Sequence, residues 1–398
     1  MKSLFKKNLV MLCAMASANV SYAAPTLEEM WEKMQEQQKQ IEQLKKENEQ
    51  LSEKQEISAT MAEQMTAKSA DSSASKGESS IGGYGELHFN SRDGKDNEID
   101  FHRFVLFFGH EFNDQIRFFS ELELEHSVAG DGQEGEVELE QAYIEMDLND
   151  QHAAKAGLFL MPVGIINETH EPDTFYGVER NPVEKDIIPA TWWEGGIAAS
   201  GQIGVGFSYD VAYTSGLETP TTGANAYKIR NGRQKVANAT ANNGAITGRI
   251  KWTGIPGLEL AATVQHQADL TQGTGAAGTE SSANLIETHA VYRKGPFGVR
   301  ALYARWDLDG EGAKVVGRDE QTGWYVEPSY RISPKWGVFA RYNKWDNNAG
   351  DAAATEKKQT DFGVNFWPHE NVVLKFDVQR QSGATDDDGF NLGVGYQF

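Results

Sequence analysis

The residues of this 398-residue chain best suited to chemistry are charged side chains set at every second position. Glu121, Glu123 and Glu125 alternate with Leu122 and Leu124, and similar alternation carries Arg103, Arg117, Arg249, Lys251, Arg331, Arg341 and Lys375, with Glu327, Asp361 and Asp377 later. Period two puts such residues on one face of a strand. Acids along one wall and bases along another, with water between, would set up a transverse field that orients dipolar solutes and gives ions of each sign their own side. That is guidance rather than bond making. The nine histidines (His88, His102, His110, His126, His152, His170, His266, His289 and His369) show no metal-ligand spacing such as H-x3-H and no nucleophile-elbow setting. Glu168, His170 and Glu171 are neighbours, but in a proline-bounded segment they are expected to line a passage rather than hold zinc. No catalytic residue, metal site or cofactor is expected, and the chain reads as a non-enzyme.

Strands of this kind need a surrounding that accepts their other face. The last nine residues, Phe390 to Phe398, alternate large apolar side chains with Asn391, Gly393, Gly395 and Gln397. Lipid outside and water inside fit that pattern, which predicts an all-β transmembrane barrel. With 39% hydrophobic residues, 40 glycines and a net charge of -21, the chain cannot be a helical membrane protein, whereas in a barrel only alternate residues meet lipid. The acidic balance also excludes a nucleic-acid partner, since phosphate backbones require clustered Lys and Arg.

Residues 1–23 read as an export signal: Lys2, Lys6 and Lys7 precede an apolar stretch too short to span a bilayer, and Ser21-Tyr22-Ala23 offers a cleavage site. Cys13 would be discarded with it. Residues 24–65 are expected to form a short coiled coil in the periplasm. Leu27, Met34 and Ile41 mark one seam and Met30, Leu44 and Leu51 the other, with Asn48 and Gln37 as polar interruptions and a solvated single helix as the alternative. Residues 66–80 read as a flexible linker, leaving 81–398 for the barrel.

Within 81–398 lie sixteen strand candidates, the first near 81–90, the sixth near 196–201 and the last near 389–398, with eighteen still open. Tight breaks at Asn113-Asp114, Asn149-Asp150, Gly201-Gln202, 254–257, Gly295-Pro296, Ser333-Pro334 and Pro368-His369 take turns with long polar loops. Both barrel termini therefore fall on the short-turn side. Twelve aromatics near strand ends, from Trp252 through Trp306, Trp324 and Trp345 to Tyr396, suggest girdles at the two membrane interfaces.

The connection from Ile165 to Gly195 stands apart. Its prolines (Pro172, Pro182, Pro189) would stiffen it and Trp192-Trp193 could pin its return; it carries Glu168, Glu171, Asp173, Glu179, Glu184, Asp186 and Glu194 against Arg180 and Lys185. Together with the barrel layout, its TFYGVERNPVEKDIIPATWWEG stretch resembles the phosphate-selective porin O and P family. The resemblance implies a homotrimer of water-filled outer-membrane barrels passing small hydrophilic solutes and ions, with an anion or phosphate preference and with this loop as the constriction. The partners implied are outer-membrane lipid and further copies of the chain. Peptidoglycan or a periplasmic protein could meet the coiled coil. A barrel-anchored adhesin or cell-wall tether is the alternative.

Overall fold

Alternating side chains along each strand leave the backbone amides no partner in lipid unless every edge is paired, and a closed barrel is the solution. The computed structural model describes residues 77–128 and 135–398. Its strands are β1 (Ser79–Arg92), β2 (Glu98–Asn113), β3 (Ile116–Glu125), β4 (Val137–Asn149), β5 (His152–Leu160) and β6 (Trp193–Gly204). They continue as β7 (Phe207–Thr214), β8 (Ala245–Ile255), β9 (Leu258–Gln267), β10 (Ser282–Lys294) and β11 (Phe297–Asp309). The circuit ends with β12 (Glu320–Ser333), β13 (Trp336–Asp346), β14 (Lys357–His369), β15 (Val372–Gly383) and β16 (Gly389–Gln397). Each pairs antiparallel with its sequence neighbours, and β1 pairs with β16 to close sixteen strands. The expected leader and coiled coil lie outside the described residues. β6 runs three residues past each end of its candidate, taking in residues 193–195 and 202–204, so the turn falls at Val205-Gly206 and not at Gly201-Gln202; the small residues Gly195, Gly196, Ala198 and Ala199 lack the size contrast that marks alternation.

Inward and outward faces follow the parity of the sequence. On β16, Phe390, Leu392 and Val394 are exposed on the outer surface, while Asn391 and Gly393 are buried inside. Tight turns gather at one rim. The Asn113 Oδ1 accepts the N–H groups of Gln115 and Ile116, both at 2.9 Å, and Gly257 takes a φ of 80° where a Cβ would strike the Arg293 carbonyl. Long loops gather at the other rim.

Closure ends on the terminal aromatic. Gly83 and Phe398 exchange both backbone hydrogen bonds, at 3.0 and 2.9 Å, and the Phe398 ring lies 6.0 Å from that of Phe104. Deleting Phe398 removes this last rung of the seam. We expect the truncated protein to fold more slowly into detergent micelles, read as delayed appearance of the fast-migrating folded band on unheated gels.

Most of the expected girdle aromatics face outward and meet one another, as in Phe297–Tyr330, Trp336–Phe366 and Trp324–Tyr342, with centroids 4.8, 4.4 and 5.4 Å apart. Trp306 and Trp345 differ. Both point inward and are buried in an apolar cluster with Leu285, Leu302 and Tyr325, so they belong to a core inside the barrel. The loops supply the other half of that core. Residues 161–192, the third loop, carry helix α1 (Val183–Asp186), and residues 215–244, the fourth, carry a 3-10 turn (Ile229–Gly232). Val183, Ile187, Ile188 and Trp192 of the third loop and Leu217, Tyr227 and Ile229 of the fourth pack against the inner face of β10–β13.

Candidate functional site

The third loop leaves β5 at Leu160 and folds into the lumen because its ends and its helix are each fastened. Asn167 is fully buried; its amide donates to the carbonyls of Met161 and Trp192, at 2.8 and 2.9 Å, and accepts the Trp192 N–H at 2.7 Å. One side chain thus staples the two ends of the loop together. Glu184, also fully buried, accepts the N–H groups of Ile165 and Ile166 at 2.8 and 2.6 Å and the Tyr325 hydroxyl at 2.6 Å. The Trp306 indole donates to the Ile187 carbonyl at 3.0 Å.

From this base the rest of the loop is buttoned to strands around the barrel, among them β3 and β4, β1, β15 and β16, and β11. His170 lies between Glu121 at 3.4 Å and Glu140 at 3.3 Å. Burial opposes its charge, but the two carboxylates outweigh it and raise the imidazole to about 10. The clamp therefore contributes fully below the ordinary histidine range and is lost only as pH rises through about 10. Asp173 accepts from Gln397, and the Thr174 carbonyl accepts from Arg300 at 2.6 Å. Lys375 donates to the Gly177 carbonyl at 2.8 Å, the Val178 N–H to Asp377 at 2.6 Å, and Asn90 to Glu179 at 2.9 Å. Glu168 reaches Arg249. The loop's acids are largely spent on docking. Glu171 is half-buried without a salt bridge, Asp186 is half-buried, and Lys185 is exposed.

Wall charges sort into paired and unpaired sets. Arg103 meets Glu86 at 2.6 Å and Glu123 at 3.4 Å; Arg117 meets Glu145 and Asp147; Arg249 meets Glu168 and Asp210; Lys251 meets Glu259 at 3.6 Å. Arg341, itself buried, bridges Glu327 at 3.1 Å and Asp361 at 3.0 Å. A paired base has little field left for a passing ion. Arg341→Ala would strand two buried carboxylates, so we expect a loss of about 3–5 kcal/mol of barrel stability, measured by urea unfolding in micelles, with little change in ion selectivity.

Unpaired cations stand at two levels. Among the described residues no carboxylate lies within 4.0 Å of Arg331, Arg293 or Arg300 toward the turn rim, nor of Arg180, Arg230 or Arg233 on the loop side. Arg331 stacks on Trp367 at 3.6 Å. Lys375, over the Phe175 ring at 3.8 Å, also lacks a carboxylate partner among the described residues. Arg180 donates to the Thr191 hydroxyl at 2.6 Å, but its Nε and Nη2 are buried without a partner, as is the Arg233 Nε. Arg230 donates to the carbonyls of Lys185 at 2.5 Å and Ala190 at 3.1 Å. Burial, then the neighbouring Arg233, pulls Arg230 down to about 10, so it stays charged at neutral pH. These arginines border a cavity of about 340 Å³ whose facing wall holds Glu125, Glu138 and Glu140. Lys235 pairs with Glu136 and Glu138, offsetting part of that wall. A second cavity, about 550 Å³, opens at the turn rim between Asp147, Asp210, Arg249 and Lys251.

The chain matches the model of the phosphate-selective porin O and P family over residues 80–389. It belongs to that family. The protein is accordingly an outer-membrane channel. An uncharacterized protein of Aquifex aeolicus (strain VF5) is 28% identical over 365 residues, spanning 80% of each chain. Among solved structures, the barrel is similar to an anion-selective porin from Comamonas acidovorans, with a TM-score of 0.59, 12% identity, 81% of this chain and 100% of that one. It is also similar to OmpT of Vibrio cholerae in its trimer form, with a TM-score of 0.57, 12% identity, and 81% and 100% covered. At such identities these structures speak for the barrel alone. None of these relatives gives support to the tether.

Porin parity in the sequence finds Arg103, Arg249 and Arg341 but not which bases are neutralised. Arg230 and Arg233 escaped sequence reasoning because they lie in a loop; the signal was the basic run Lys228-Ile-Arg-Asn-Gly-Arg-Gln-Lys235 in an acidic chain. Arg293 and Arg300 flank the Gly295-Pro296 turn, where the same parity would have turned them inward.

Proposed function

We propose that the protein is a homotrimeric diffusion pore that passes small hydrophilic solutes and prefers anions. The observation that carries this reading is the set of arginines with no carboxylate partner among the described residues: Arg180, Arg230 and Arg233 on the loop side, then Arg331, Arg300 and Arg293 toward the turns. Lys375, unpaired in the wall beneath the third loop, adds to the basic path. The paired residues Arg103, Arg117, Glu121, Glu123, Arg249, Lys251 and Arg341 line the same water but act as a fixed, nearly neutral wall. The third loop, with Glu168, Glu171, Asp173, Glu179, Lys185 and Asp186 beside Arg180, narrows the passage. Weak, multi-site binding along the arginines would concentrate an anion without trapping it. No step here makes or breaks a bond, so no catalytic residue or cofactor is needed.

Proteoliposomes should take up a small organic anion, such as a sugar phosphate, faster than an organic cation of equal size. Equal rates for the two would remove the charge preference and leave a general diffusion pore. We further propose that residues 24–65 form a periplasmic coiled coil that clamps the trimer or touches the cell wall. A chain lacking residues 26–65 that still gave heat-resistant trimers would exclude the clamp.

A further inference from the structure

We propose that Asp100, His102 and His126 form a binding site for a divalent transition metal at the loop-side mouth of the barrel. Asp100 and His102 stand two residues apart on β2, and strand pairing brings His126, just past the end of β3, beside them. The His126 N–H donates to the His102 carbonyl at 3.1 Å, which makes the two residues cross-strand neighbours. On the other side of β2 the register shifts: Glu86 pairs with Arg103 and His88 with Asp100, so Phe101 and His102 together stand opposite Leu87. Such a bulge frees a side chain from strict alternation, and His102 joins Arg103 on the wall of the loop-side cavity.

The donor set and spacing fit a metal. His102 Nδ1 lies 3.1 Å and His126 Nδ1 2.9 Å from the same oxygen, Asp100 Oδ2. All three donor atoms lie within 4.8 Å of one another. Tetrahedral ligands about 2.0–2.1 Å from zinc are about 3.3 Å apart, so the two edges at Asp100 need open by only a few tenths of an ångström to admit the ion. Two imidazoles and one carboxylate suit Zn²⁺, Co²⁺ or Ni²⁺; calcium and magnesium ask for more oxygen ligands than this group offers. Three protein ligands leave one position for water, and Asp100 and His126 keep side-chain exposures of 15% and 40%. The His102 ring is oriented from behind by His88, stacked at 4.6 Å and 16°, whose own nitrogens reach Glu86 and Glu179 at 3.1 Å each. An oriented ligand ring with an open face is what binding requires. The buried His170 group differs, since its carboxylates are engaged in docking the third loop. A metal here would add two positive charges across the cavity from Arg180, Arg230 and Arg233, and the site does not depend on which ions the pore prefers.

Zn²⁺ titrated calorimetrically into the purified, detergent-solubilised protein tests the assignment. The expected result is saturable binding of one ion per protomer, weakened at least about tenfold in the His102→Ala/His126→Ala variant and unchanged in His266→Ala, whose ring bonds Asn284 elsewhere on the surface. If the double variant does not fold, as judged by heat-modifiable migration, Asp100→Asn serves under the same criterion. Wild-type affinity in the folded variant, or no saturable binding by the native protein, would overturn the proposal.

Discussion

Replacing Arg180, Arg230 and Arg233 together by alanine is expected to shift the pore's permeability ratio toward cations by about an order of magnitude. The size follows from Coulomb's law. At about 7 Å in water each guanidinium is worth about 0.6 kcal/mol to a monovalent anion, so three give about 1.8 kcal/mol, or about twentyfold, before salt screening reduces it. These residues sit on loops and form no ion pair among the described residues, so their removal strands no buried carboxylate. Glu125, Glu138 and Glu140 would then face the cavity with less opposition. Planar-bilayer reversal potentials in a salt gradient read the shift directly, and the effect should shrink as ionic strength rises. A triple variant with native selectivity would mean that ions take a path away from this cavity.

Glu184→Ala is expected to release the third loop and produce a larger, noisier pore. The carboxylate is fully buried and accepts from two backbone amides and the Tyr325 hydroxyl. Each donor left without a partner in such a place costs about 1–3 kcal/mol. The loss falls on the loop, because the barrel seams do not use Glu184. Single-channel conductance should rise severalfold, and solutes excluded by the native protein should enter proteoliposomes. Glu184→Gln, which keeps one acceptor oxygen, should lie between the two. Native conductance and size cut-off in Glu184→Ala would show that the apolar packing of Val183, Ile187, Ile188 and Trp192 suffices to hold the loop, or that the loop does not set the width of the passage.

The barrel was legible in the sequence because lipid-facing strands must alternate and tight turns need particular residues. Phe390, Leu392 and Val394, set against Asn391 and Gly393, carry that signal alone. The inner core was harder to see. On β11 the inward positions Leu302, Ala304, Trp306 and Leu308 are as apolar as the outward Val299 and Tyr303, which breaks the greasy-out, polar-in rule. In retrospect that break marks the wall against which a loop packs, and it explains why Trp306 and Trp345 read as girdle residues. Charge pairing was not legible at all. Whether Arg249 or Arg331 keeps its field depends on Glu168 and Asp210 in one case and on Trp367 in the other, and these are distant in sequence. The Asp100, His102 and His126 cluster escaped for a related reason: Asp100 and His102 are close in sequence, but His126 joins them only through the pairing of β2 with the end of β3.

The most direct test of the central claim is the reversal potential of the native protein in a potassium chloride gradient, measured in planar bilayers at neutral pH. Unpaired arginines predict water-filled conductance steps with the sign of chloride preference, despite the chain's net charge of -21. Potassium preference would contradict that account and give control of the passage to the acidic wall.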